Sequence, residues 1–481
     1  MNNFERKDKN LVWLSAIIGI LYFMLVFFEG HGIGTVVFFL CYYGMVFYAG
    51  KGEENFSARK GRIFLIPISV LMLCFLIYDN SVLNFFNVPL MIILITLHTA
   101  TMFSKNDSEN PVVLFFRGFF KSSVLNGDKM FKVIMAKEEK SKNKTGLGIF
   151  IGVLVGLPIF AVVTGLLCSA DQRFSQVTAK LLNFINVDFL SVISDIVLGI
   201  CLSVFIYGAI FYNRHTTEIQ EQKQLNSFVI NQAVGTTVLF MVSISYILYL
   251  VLQFEYLFSA ISGKLPENFI YSQYARSGFF ELFIIAVINF VLVVFFANTG
   301  KGKVLKTAVL LVSSITLLLI ISSVSKMILY IREYDLTRLR VYTTWFMAVL
   351  FIIFVFIIVK MFNEKIKIFN SSLAIFLSMY LILNIVNTDG IIGRYNTENY
   401  MNGSRETIDI ENIASLSDSG IIYLEKIAEG DYPESEQATY ALCKRKDYIN
   451  NKKDWLEFNI STLILKEKLK NIDETVYVYY D

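Results

Sequence analysis

Lys326–Trp345 reads KMILYIREYDLTRLRVYTTW, a charged and aromatic band. It interrupts an apolar stretch: Thr307–Ser325 before it and Val341–Val359, which begins inside it, carry no formal charge. Each run is close to the roughly 20 residues a helix needs to cross a hydrocarbon layer of about 30 Å. The band therefore marks a place where the chain leaves an apolar layer and turns back. The whole chain agrees, since 481 residues that are 55% hydrophobic and only 17% charged are too apolar for a water-soluble fold. The fold class is an all-α polytopic membrane protein.

On the same template the sequence predicts about eleven transmembrane helices. They are Leu11–Phe28, Gly32–Ala49, Ile63–Tyr78, Val82–Phe103, Leu147–Cys168, Phe189–Phe211, Phe228–Gln253, Phe279–Phe296, Thr307–Ser325, Val341–Val359 and Ile368–Val386. Alternate loops hold roughly three times the Lys and Arg of the intervening ones, and by the positive-inside rule the richer side is cytoplasmic. That puts the N-terminus (1–10) in the cytoplasm of a cell-membrane protein and, with an odd number of spans, the tail outside. MNNFERKDKN before Leu11 resembles a signal-peptide start, but no small-residue cleavage pattern follows the apolar run, so a retained first span is expected.

Between the fourth and fifth spans, 104–145 mixes apolar pairs with cations (VVLFFRGFFKSS, MFKVIMAKEEKSKNK). Such a basic cytoplasmic amphipathic loop suits an anionic leaflet, with membrane lipid as its partner, or a cytoplasmic protein partner that the sequence does not identify. Gly148, Gly152 and Gly156 recur at the interval that lets membrane helices approach closely. From Asp389 the hydropathy falls and acidic residues outnumber basic ones; 387–481 is expected to be a small, mainly helical extracytoplasmic domain. Asp454 ahead of Trp455, Leu456, Phe458 and Ile460 reads as a helix cap.

Polar chemistry collects near the outer ends of the later spans. Asp195 lies inside the sixth span, and Glu255 and Glu281 lie at the ends of the seventh and eighth. A carboxylate facing lipid costs several kcal/mol, so Asp195 and Glu281 should face the bundle interior and meet Lys326, Arg276 or Arg332. If the helix through Lys326 continues, Arg332, Asp335 and Arg338 form a ladder of alternating sign. If it breaks, Asp335 or Thr337 caps the next helix.

Several of these segments carry a resemblance. QFEYLF (Gln253–Phe258), LPENFIYSQYARSGFFEL (Leu265–Leu282), YDLTRLRVYTTWF (Tyr334–Phe346), NTDGIIGRYN (Asn387–Asn396) and DWLEFNIS (Asp454–Ser461) resemble the signatures of a bacterial polytopic membrane family. That family is catalogued as a domain of unknown function, number four-one-seven-three, and the resemblance runs from about Asn231 to the C-terminus. Ser272-Gln273 stands where the family has Ala-Glu, and Asp335 where it has glycine. The resemblance implies a multi-pass membrane location and brings no reaction with it. If its segments meet on the outer face, Tyr274, Arg276, Glu281, Arg338, Arg340, Tyr342, Asp389, Arg394 and Tyr395 surround a polar vestibule. With Asp195, Arg332 and Asp335 they form the candidate ligand-binding set. Arginine forks suit a carboxylate, a phosphate or a lipid headgroup, so an anionic or lipid-linked small ligand is expected.

Three function classes follow. The first is a non-enzymatic transporter or sensor built on the vestibule. The second is a membrane-embedded transferase acting on a lipid-linked substrate, with Glu29 beside His31 as its base. The third is a scaffold that recruits a partner through the tail. No nucleotide-binding fingerprint, HExxH or GxSxG occurs, and His31, His98 and His215 lie far apart. Neither a metal nor another cofactor is expected, no catalytic residue is assigned, and nothing indicates nucleic acid. The five cysteines form no CxxC and read as small buried hydrophobes.

Overall fold

Apolar runs poor in proline have nowhere to send their backbone N–H and C=O groups inside a hydrocarbon layer except into their own helix. In the computed structural model every described element is helical. The structure describes residues 6–27, 32–104, 123, 125–136, 163, 167, 187–215, 232–262, 271–299, 302–363, 368–451 and 458–471. Among these, eight helices are long and apolar enough to cross a membrane: Arg6–Phe27, Ile33–Gly50, Ser81–Met102, Ser194–His215, Gln232–Val251, Phe279–Ala297, Lys303–Tyr334 and Arg338–Phe362.

Of the other three expected spans, two take another form and one lies outside the described residues. The third is a helix of 13 residues, Leu65–Ile77, about 20 Å long against a layer of about 30 Å. The fifth, Leu147–Cys168, falls almost wholly outside the described residues. The eleventh is one arm of a broken pair, in which Asn370–Ile385 meets Thr388–Met401 at a bend of 53°.

The chain divides into two compact units, residues 1–220 with 448–467, and residues 221–447 with 468–481. In the first unit, α1 (Arg6–Tyr22, prolonged by a π-turn over Phe23–Phe27), α2 (Ile33–Gly50), α3 (Leu65–Ile77), α4 (Ser81–Met102), α5 (Asp128–Ala136) and α6 (Val187–His215) follow in order. A stripe of small residues brings α1 and α6 together: a Cβ on Gly19 would lie 2.0 Å from the Gly199 carbonyl oxygen. Only glycine admits that approach. Within the basic loop, α5 buries Met130 and Val133 and packs on α1 and α6, while Lys132 pairs with Asp128 on its exposed side.

At one end of this unit the Arg214 guanidinium donates to Asp8 on α1 and, at 2.9 and 2.7 Å, to Glu53 in the loop after α2. Lys7 adds 3.0 Å to Glu53. The side chains of Arg214 and Asp8 are each 2% exposed, so the pair is viable only because every charge in it is matched. Burial opposes ionisation of Glu53, but the hydrogen bonds and charges of Arg214 and Lys7 outweigh it and hold the carboxyl below the usual range.

In the second unit the membrane helices are α7 (Gln232–Ser262), α8 (Tyr271–Thr299), α9 (Lys303–Tyr334), α10 (Arg338–Phe362) and α11 (Ile368–Ile385). The axis of the packing is α9, which lies against α7, α8 and α10. Its core includes Phe279, Ala286, Val293, Val312, Ile320, Met347 and Phe354, all buried. Trp345 ties α10 to α11, its Nε1 donating to the Met379 carbonyl at 3.0 Å. After the break, Asn387 caps α12 (Thr388–Met401) by accepting from the Gly390 N–H at 3.0 Å. Short helices follow: α13 (Ile410–Ala414), α14 (Asp418–Ile421), a 3-10 turn, α15 (Glu425–Ala428) and α16 (Ser435–Asn451). They enclose Ile392, Ile413, Leu416, Leu424, Ile427 and Leu442. A Cβ on Gly393 of α12 would meet the Gly420 carbonyl oxygen at 2.3 Å, so these two helices touch backbone to backbone.

The charge cluster makes stability depend on pH with a definite sign. A depressed folded pKa at Glu53 adds stability that is present above the unfolded value of about 4.3 and is lost as pH falls through the folded value. Melting of the detergent-solubilised native protein should fall more steeply than that of Glu53→Gln as the buffer is acidified below that point. Parallel curves would remove Glu53 from the acid response.

Candidate functional site

The band that opened the sequence analysis folds as a helix end, a three-residue loop and a helix start. The apolar residues Met327–Ile331 prolong α9 beyond Lys326 to Tyr334, and α10 begins at Arg338 with Thr337 as its cap, accepting from the Arg340 N–H at 3.4 Å. The helix therefore breaks, and Thr337, not Asp335, is the capping residue. Asp335 has φ 60° and ψ −175°, a conformation that glycine adopts freely and that costs other residues about 1–3 kcal/mol. Here the aspartate is held from both ends: Arg405 Nε donates to its carboxylate at 2.9 Å and Arg340 donates to its carbonyl oxygen.

The rest of the loop is gripped by side chains from the polar helices. Asn396 on α12 accepts from the Leu336 N–H and donates to the Leu336 carbonyl, both at 2.9 Å. Asn412 on α13 adds a third bond at 3.2 Å. Arg338 makes a two-pronged bond to Asp389, Nε to Oδ1 at 3.0 Å and Nη2 to Oδ2 at 2.6 Å, and its Nη1 donates to the Ser415 carbonyl at 2.9 Å. Asp389 is 1% exposed and also accepts from the Ser417 N–H at 2.9 Å. Arg340 lies over the Tyr330 ring, 4.2 Å from its centroid, and donates to the Tyr334 and Asp335 carbonyls.

Arg338 and Asp389, and Arg340 and Asp335, thus come together around the α9–α10 loop. Their forks are occupied by protein groups, and the set reads as a clamp holding α12–α14 to the α9–α10 loop. The other predicted residues are scattered. Arg332 is exposed on the last turn of α9, Arg394 is exposed and pairs with Glu398 at 2.8 Å, and Tyr342 and Tyr395 are half-buried. Tyr274 and Arg276 lie on α8, and their side chains, like that of Glu255, are outside the described residues, as are Glu29 and His31. Asp195 belongs to the first unit, half-buried on α6, and its Oδ1 has no hydrogen-bond partner among the described residues.

A second polar feature runs through the apolar bundle itself. Lys326 on α9 is 4% exposed, and the Glu281 carboxylate on α8 lies within electrostatic range of it and of Tyr249 on α7. About 15 Å along α9 toward its start, Thr316 accepts from Asn289 Nδ2 at 2.9 Å, and Asn289 Oδ1 accepts from Tyr246 at 2.8 Å. The contact joins α7, α8 and α9. Ser313, Thr316, Ser323 and Lys326 recur along one buried side of α9, and the Ser313 and Ser323 hydroxyls have no hydrogen-bond partner among the described residues. Lys326 was one of the three cations expected to meet Glu281, whereas Tyr246, Asn289 and Thr316 carry no signal in the sequence. Neutral polar residues in an apolar run leave hydropathy almost unchanged. Among the described residues no three His, Cys, Asp or Glu side chains converge as a metal site requires.

The family model that matches the chain is described as Domain of unknown function (DUF4153) and covers residues 65–427. It contains both polar features and four of the five signature segments; Asp454–Ser461 lies beyond it. Its number differs from the four-one-seven-three suggested by the sequence segments, and its span begins well before Asn231. No curated protein and no solved structure matches the chain.

The strained loop allows a direct comparison of two substitutions. Asp335→Ala loses the Arg405 pair and keeps the strain, whereas Asp335→Gly loses the pair and relieves it. The glycine variant should be more stable than the alanine variant by about 1 kcal/mol, measured by chemical denaturation in detergent. Equal stabilities would mean that the loop is not strained at Asp335.

Proposed function

This chain belongs to the family described as Domain of unknown function (DUF4153), and from that premise we propose a non-enzymatic transporter or sensor that takes an anionic or lipid-borne ligand at Lys326. The protein is a multi-helix membrane protein. In this reading the Arg338–Asp389 clamp is structural. The ligand enters beside Lys326 near the end of α9 and Glu281 near the start of α8, on the side that the positive-inside rule makes the outer face.

The observation that carries the proposal is the burial of Lys326 at 4% exposure within a helix apolar enough to span. An ammonium inside a hydrocarbon layer costs several kcal/mol unless it is matched, and such residues are retained where a path or a ligand needs them. Glu281 supplies a match from an exposed position. An arriving anion can take over that role, because what Lys326 requires is negative charge rather than one particular carboxylate. Further along α9, Ser323, Thr316 and Ser313, with Asn289 and Tyr246, continue the polar surface between α7, α8 and α9. A purely structural pair would need no such continuation.

The test is purification in a mild detergent followed by mass spectrometry of small molecules that stay bound. The native protein should retain an anionic species that Lys326→Met loses by about tenfold, with the melting temperatures within about 4 °C of each other. Equal occupancy in both proteins, or no bound anion in either, would refute the assignment.

A further inference from the structure

We infer that the C-terminal helix α17 (Ile460–Lys468) is an interfacial helix whose uncovered apolar face rests on the lipid at the rim of the first unit. Asn459 starts it, accepting from the Thr462 N–H at 2.9 Å. Two bonds fix its height. The Ile33 N–H at the start of α2 donates to the Phe458 carbonyl at 3.1 Å, and Ser461 Oγ donates to the carbonyl of Ile77, the last residue of α3, at 2.6 Å. With 18 residues α2 is about 27 Å long, so to cross a layer of about 30 Å both its ends must stand at the layer's edges. The segment bonded to its first residue therefore stands at an edge too.

The composition of the helix fits that level. Asn459, Ser461 and Leu465 are buried against the protein, whereas Phe458, Ile460, Leu463 and Ile464 are 40, 45, 48 and 51% exposed. Positions 460, 463 and 464 share a helical face. On α4, which starts at the same end as α3 finishes, Phe85 and Phe86 are 70 and 55% exposed in the second turn, so exposed aromatics also occur near this edge. Beyond the apolar face Lys466 is exposed on its flank, and Lys468 is paired with Glu425, so the lipid contact falls to Phe458, Ile460, Leu463 and Ile464. Lipid is the occupant because the face is at bilayer height and opens outward from a unit whose spans are themselves lipid-coated. A soluble partner would have to displace that lipid.

The test uses the full chain in nanodiscs, with tryptophan placed at Leu463→Trp and, as a control on the polar side, Lys466→Trp; the parent protein's three tryptophans are subtracted. In nanodiscs of phospholipid brominated near the head of its acyl chain, the emission added at 463 should be blue-shifted and lose about half its intensity. The emission added at 466 should keep its intensity. Red-shifted, unquenched emission at 463 would overturn the inference by placing the face in water. Blue-shifted but unquenched emission would also overturn it, by placing the face under protein such as a second copy of the chain. If the variant does not fold, the unmodified protein labelled with a photoactivatable phospholipid serves instead. Adducts within 458–467 support the inference, and their absence there alongside adducts on α2 and α4 overturns it.

Discussion

The two-pronged bond between Arg338 and Asp389 is the contact on which the polar half of the second unit depends. It joins the first residue of α10 to the first turn of α12, and through Ser415 and Ser417 it fixes the start of α14 as well. Asp389 is almost fully buried while Arg338 keeps a fifth of its side chain exposed. The carboxylate therefore bears most of the desolvation cost, and three donors are needed to offset it. Removing one partner of such a pair costs on the order of 3 kcal/mol, a large share of the stability of a small domain. No comparable amount comes from the exposed Arg394–Glu398 pair, which solvent screens. The clamp holds these helices together because its charges are sequestered, and for the same reason its guanidinium fork is unavailable to a ligand.

Backbone geometry and clamp explain one another. The turn between α9 and α10 takes three residues, so the chain must reverse abruptly, and Asp335 adopts a glycine-like conformation to do so. The strain persists because the surroundings over-determine the loop: Asn396 and Asn412 hold Leu336, Arg340 holds two carbonyls, and Arg405 holds the Asp335 side chain. At this position an aspartate offers what a glycine cannot, a carboxylate for Arg405, at the expense of an unfavourable φ. The two effects are of similar size, on the order of 1 kcal/mol each, and oppose one another.

How much of this was legible in the sequence depended on whether a residue announced itself by charge. The band from Lys326 to Trp345 stood out because charges broke an apolar run, and Asp389 was set beside it because both signature segments fall on the same side by loop charge. Asn289 and Tyr246 did not stand out, since an amide or phenol within an apolar run neither breaks the run nor marks a partner, and Asn396 is one of several amides in a polar segment. The protein groups that fill the arginine forks were not legible either, for a related reason. A sequence shows that a fork exists, whereas the carbonyls of Ser415, Tyr334 and Asp335 that fill it are present in every residue and become acceptors only where the fold leaves them unpaired. Two expected spans are not single long helices: Leu65–Ile77 is strongly apolar but short, and Ile368–Val386 ends at a bend that Asn387 caps.

One helix connects the clamp with the buried lysine. Lys326 lies about 13 Å from the Asp335 turn along a helix that continues unbroken to Tyr334, and an α-helix of that length transmits displacement as a nearly rigid rod. Clamping the turn therefore fixes the height and rotation of Lys326 relative to Glu281 on α8, and an anion that altered the charge at Lys326 would load the same rod from its other side. The apolar contacts along α9 resist sliding but are weakly directional, so rotation about the helix axis is opposed chiefly by polar contacts: Thr316 with Asn289 near the middle and the Asn396, Arg340 and Arg405 bonds at the end. Those are the contacts that set the register of the polar seam, and they do so from outside the seam as well as within it.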